Sequence, residues 1–189
     1  MNIFVLDKNP VVAARMHCDK HVPKMCVEAA QMMASALRRH GATDEQMPLT
    51  KSGTPYKGGY AHHPCTVWAG DSRENFDWLA AHAHKLLCEY YERFGKEHAC
   101  TMPVMQMYNM DEMIPEGELT PFALAMPDEY RPKHSTPTMP IDKDKYIVSH
   151  SAGSDAVKAY QAYYHSKTFA KWEKGTPAPN WWRGVEVTA

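Results

Sequence analysis

Residues 72–95, SRENFDWLAAHAHKLLCEYYERFG, limit the possible folds of this chain more than any other stretch. Ser72 is a good helix N-cap and Gly95 a good stop. Between them Phe76, Leu79, Ala83, Leu86, Leu87 and Tyr90 recur at three and four, the spacing of one helical face. A second helical pattern runs from Val11 to Arg39, with Asp7 or Asn9 as cap, Pro10 at the first position and Gly41 as stop. Pro23 falls inside it and should kink that helix or split it in two. Ser154 or Asp155 caps a third pattern, AVKAYQAYYHSKTFAKW, and a short helix is expected from Pro64. NIFVL is β-like, but one such segment cannot make a sheet. Residues 41–61 and 100–153 read as loops, the latter proline-rich and irregular, and the aromatic tail as extended. The expectation is a mainly α, compact single domain over residues 1–189, with a kinked N-terminal helix and long irregular loops.

Composition narrows the function classes. At 189 residues and 44% apolar content, one domain with a real core is expected. No run of about 18 apolar residues is present, so no membrane partner is expected. MNIFVLDKNP places an Asp where a signal peptide would stay apolar, so a cytoplasmic location is expected. The five cysteines form no CxxC and read as free thiols. Net charge is −1 but unevenly spread: +3 over residues 1–40, −8 over 41–130 and +4 over 131–189. A nucleic-acid surface would therefore need the two basic ends to meet in space. No Walker loop, GxGxxG, GxSxG or HExxH occurs. The H-x-E…P-C-x-x-C pattern of a deaminase is also absent, since Pro64-Cys65 lacks its partner cysteine.

HCDKHVPKM, residues 17–25, holds the densest chemistry. On a helix His17, Lys20, His21, Lys24, Glu28 and Gln31 share a face, and Met16, Val27, Ala30, Met33, Ala34 and Leu37 can form the apolar one. The plain reading is a solvated polar face, yet such faces usually alternate Lys with Glu, and here only Asp19 accompanies the cations. His17 and His21 have i,i+4 metal spacing, and His62 or His63 could add a ligand. Two lysines beside them disfavour a cation, so no metal and no cofactor are expected. Lys20, Lys24 and the imidazoles fit a phosphate better.

Other candidates carry two readings each. His63 and Trp68 could form an aromatic, polar pocket, or Trp68 could be core. Arg93 could hold a phosphate, or serve the C-terminal dipole of its helix. Tyr160, Tyr163, Tyr164 and Lys167 could stack bases and hold phosphates, although Tyr at helical spacing is more often core. AMPDEY, residues 125–130, reads as a structural turn.

These segments resemble the small phage pyrimidine-dimer DNA glycosylases of the endonuclease V type. Lys20-His21-Val22-Pro23-Lys24 stands in the family's basic–acidic–apolar–Pro–Arg segment, and Pro179-Asn180-Trp181-Trp182-Arg183 is similar to its aromatic, basic ending. The chain also resembles, over most of its length, a set of phage proteins that begin MNIFxLD and share HCDKHVxKM, HPxxxW and AMPDEY. The first resemblance implies a compact helical domain that attacks the sugar C1′ of DNA with its N-terminal α-amine, forming a Schiff base without a metal. α-Amines are partly unprotonated near neutral pH and can act as nucleophiles. Two positions depart from the family pattern. Asn2 is large enough to leave Met1 in place, so Met1 would supply the amine. His21 stands where the family has its catalytic Glu, so His21 would act as acid/base, or Glu28 or Asp19 would replace the carboxylate.

The resemblance thus implies a phage DNA-glycosylase-like protein, a DNA glycosylase/AP lyase as an enzyme. Its catalytic residues would be Met1, His21 and Glu28. His17, Lys20, Lys24, His63, Trp68 and Arg93 would contact ligand, and Trp181, Trp182 and Arg183 would form a stacking edge. The near-neutral charge favours an alternative: a non-catalytic protein that sequesters a small phosphorylated nucleotide of bacterial defence signalling.

Overall fold

The computed structural model describes residues 1–133, 136–138, 148–151 and 153–185. It is mainly helical: α1 (Pro10–Arg15), α2 (His21–Arg39), α3 (Pro64–Ala69), α4 (Arg73–Phe94), α5 (Thr101–Tyr108) and α6 (Gly153–His165). Three short antiparallel strands, β1 (Phe122–Ala123), β2 (Thr136–Thr138) and β3 (Val148–Ser151), pair in the order β1-β3-β2. α2 and α4 form the main helix pair, with α1 laid against α4. No helix among the described residues is long and apolar enough to cross a membrane.

The helix ends follow local chemistry. Asn9 caps α1 through Val11 N–H and Val12 N–H, Ser72 caps α4 through Asn75 N–H, and Gly95 ends α4 at φ 67°. The long N-terminal helical pattern does divide, but between Arg15 and His21 rather than at Pro23. Pro23 sits in the first turn of α2, where its missing N–H breaks no helical bond. Its ring makes no kink there.

Three further expectations are corrected. NIFVL forms no strand, and Ile3, Phe4, Val5 and Leu6 are all buried as irregular chain. Residues 100–153 are not uniformly irregular, because Thr101–Tyr108 forms α5, with Val104 and Met107 buried. α6 stops at His165, before the Lys167–Trp172 part of its sequence pattern.

Tertiary contacts thread the N-terminus into the core. Trp78 Nε1 donates to Lys8 O at 2.8 Å and His82 Nδ1 to Pro10 O at 2.9 Å, so α4 holds the entrance to α1. Gln161 of α6 donates to Leu6 O, and Asn2 Nδ2 donates to Ala125 O. Phe4 adopts φ 39°, an uncommon conformation for a bulky side chain. Asn2 Oδ1 accepts from Phe4 N–H and Phe4 O from Leu6 N–H, and these two bonds hold the bend. Gly58 lets the 41–61 loop touch α2. Its φ is +79°, and a Cβ there would lie 2.2 Å from Ser35 Oγ.

Candidate active site

The bend at Phe4 turns the chain so that Met1 meets the middle of α2. The Met1 α-nitrogen lies 3.6 Å from Glu28 Oε2, and Lys24 Nζ lies 3.3 Å from Glu28 Oε1. The Met1 side chain is 1% exposed while the residue as a whole is half-buried. What Met1 presents to solvent is therefore its main chain, the end that carries the amine. Glu28 is almost buried, and its Oε2 has no hydrogen-bond partner. A buried carboxylate oxygen facing only an amine is a costly arrangement unless the charges serve each other.

His63 lies at the rim of this group. It caps α3, its Nδ1 accepting from Cys65 N–H. Burial first, and then the nearby N-terminal ammonium, lower its pKa to about 4. Cys65, fully buried beside the same amine and Glu28, has its thiol pushed up to about 12, mainly by burial, so it is no nucleophile near neutral pH.

His21 sits one end of α2 away. It is buried, and its Nδ1 lies 2.8 Å from the Tyr164 hydroxyl, which also accepts from Cys18 N–H at 2.9 Å. Burial, and then the charges of Lys24, Lys167 and Lys20, lower the His21 pKa to about 3. The ring is neutral near pH 7. A ring titrating so low is not an imidazolium near neutral pH, so it brings no positive charge there. Lys20 lies over the Phe169 ring at 4.7 Å and Lys167 over the Tyr163 ring at 3.4 Å.

Several sequence candidates are placed elsewhere. His17 is fully buried against His82, ring centroids 5.2 Å apart, with Nδ1 on Ala13 O. Desolvation and the neighbouring His82 hold its pKa well below the usual range, so it cannot contribute charge to a phosphate cradle. Trp68 is fully buried between Trp78 and Phe122, the core reading. Arg93 is buried and saturated by Glu89, Asp19, His17 O and Arg15 O, so no N–H fork remains for a phosphate. Trp182 stacks on His165 with ring centroids 4.9 Å apart and planes 3° apart, while Trp181 Nε1 donates to Met16 Sδ. The two half-buried indoles seal the far side of Tyr164, while Arg183 is exposed and donates to Asn180 O. Among the described residues no three His, Cys, Asp or Glu side chains converge as a metal site.

Three participants take roles that the sequence pattern did not signal. Asn2 reads as an ordinary polar residue, yet it holds the N-terminal bend. Tyr164 and Lys167 resemble other helical aromatics and lysines until α6 packs against the start of α2.

Residues 1–102, which include Met1, His21 and Glu28, match the family model described as pyrimidine dimer DNA glycosylase. No curated protein and no solved structure matches the chain.

Proposed function

Since the chain belongs to the pyrimidine dimer DNA glycosylase family, we propose that it cleaves an N-glycosidic bond in DNA, with the Met1 α-amine as nucleophile and Glu28 as the carboxylate beside it. The reading rests on one observation, the 3.6 Å approach of the Met1 nitrogen to Glu28 Oε2. Glu28 lies seven residues after His21, two turns along the same face of α2, so it provides the negative charge that histidine cannot.

The chemistry follows from that pair. The amine lone pair forms a bond to C1′ as the bond from C1′ to the base breaks. The base leaves with the electron pair and takes up a proton. Glu28 stabilises the positive charge that develops on the sugar. It then accepts the proton released by the attacking nitrogen and delivers it to the ring oxygen. The ring opens, leaving an imine between Met1 and C1′. Loss of a C2′ proton from that imine expels the 3′ phosphate. Lys20 and Lys24, both exposed, hold backbone phosphate. Flipping the nucleotide costs a few kcal/mol, which contacts to the protein offset.

The test is incubation with UV-irradiated and undamaged duplex DNA under borohydride, which reduces the imine to a stable amine. A covalent adduct mapping to Met1 is expected. An adduct mapping to a lysine overturns the role of Met1. No adduct on either DNA, together with a rise in Tm on adding free nucleotides, favours the nucleotide-sequestering alternative.

A further inference from the structure

The start of α2 is built as an anion site whose buried element is a neutral imidazole of defined tautomer. Tyr164 is buried, and its hydroxyl oxygen accepts from Cys18 N–H. Its one proton then has a single acceptor among the described residues, His21 Nδ1 at 2.8 Å. With Nδ1 accepting, the ring proton of neutral His21 must sit on Nε2. Nε2 has no partner among the described residues. Around the ring stand the ammonium groups of Lys20, Lys24 and Lys167. Lys20 and Lys167 meet aromatic faces, and among the described residues neither has a carboxylate within ion-pair distance. His17 and Tyr164, also beside the ring, bring no negative charge.

We propose that His21 Nε2–H and Lys167, with Tyr164 as the positioning residue that fixes the His21 tautomer, bind a phosphodiester of the DNA strand next to the nucleotide under attack. This deepens the glycosylase reading and rests on it for the identity of the ligand. Seven residues of helix place Glu28 about 10 Å from His21, so the two ends of this face meet different parts of one strand.

The probe is a short duplex carrying a tetrahydrofuran abasic analogue, which has no base to lose and needs no Met1 chemistry. Nitrogen-15 NMR should find His21 as the Nε2–H tautomer in the wild type and as a mixture in Tyr164→Phe. Duplex affinity should fall about tenfold in Tyr164→Phe and in His21→Phe, the size of one hydrogen bond to a charged group. His21→Gln, which keeps a neutral donor, should recover most of it. These variants should leave the salt dependence of binding unchanged, whereas Lys167→Gln should lower its slope by about one. An Nδ1–H tautomer in the wild type, or wild-type affinity in folded His21→Phe, overturns the proposal. Failure to trap an imine with intact duplex affinity would sink the glycosylase chemistry and leave this phosphate site standing.

Discussion

The Met1 α-nitrogen lies 3.6 Å from Glu28 Oε2, and Lys24 holds the other oxygen of the same carboxylate at 3.3 Å. The first contact is longer than a hydrogen bond, so Glu28 steers the amine through charge at ion-pair distance. Lys24 stands between this pair and His21 on α2, linking a site for sugar chemistry to one for phosphate.

Replacing Glu28 by Gln keeps the shape and removes the charge. Loss of a positioned acid/base group costs about 100-fold or more in rate. Borohydride trapping should slow by that factor, while Tm should change by no more than a few degrees because Glu28 Oε2 has no hydrogen bond to lose.

The amine must end at Met1. Intact mass should include the initiator methionine, and Edman degradation should begin Met-Asn. Adding one residue ahead of Met1 moves the amine by about 3.5 Å, and should abolish the adduct without altering circular dichroism. Trapping at the wild-type rate in the extended protein would place the nucleophile elsewhere.

Arg93 is a structural clasp. It joins α4 to the α1–α2 junction through Glu89, Asp19 and two carbonyls, and Thr176 of the tail donates to the same Glu89. Arg93→Ala leaves the Glu89 carboxylate buried without this partner, and should destabilise the fold by about 3–5 kcal/mol in urea titration. The fraction that remains folded should bind DNA with an unchanged salt slope.

Acid should unfold the protein early. Burial lowers the His82 pKa to about 4, and burial with His82 nearby lowers that of His17. In the unfolded chain both titrate near 6.5. Between these values the unfolded state binds more protons, so stability is full above about pH 6.5 and falls as pH drops. His82 should contribute a loss of about 2 kcal/mol by pH 5, and His17 a further loss in the same direction. The urea midpoint should drop between pH 7 and 5, and His82→Gln should flatten that slope. An equal slope in the variant would exclude His82 as a source.

Helices with a complete local code were legible in the residues. Ser72, Gly95, Pro64 and Asn9 act through neighbours only a few positions away, so caps and stops stand where the pattern puts them. α5 was hidden because Pro103 and three methionines lie in a proline-rich stretch without a capping residue. Pro23 was misleading because its effect depends on where the helix begins. That point is set by His17 and Cys18 entering the core, beyond the reach of local propensity.

The site divides along the same line. Residue type and i,i+4 spacing determined that Lys20, His21, Lys24 and Glu28 share one side of α2, since helical periodicity is a local property. Only the tertiary structure decided which of them meets the amine. Asn2 and the bend at Phe4 bring Met1 to Glu28, 27 positions along the chain, and α6 brings Tyr164 to His21, 143 positions away. The same packing turned His17 and Arg93 inward to buried partners. Such contacts follow from which apolar surfaces bury one another, and no short stretch of residues encodes that choice.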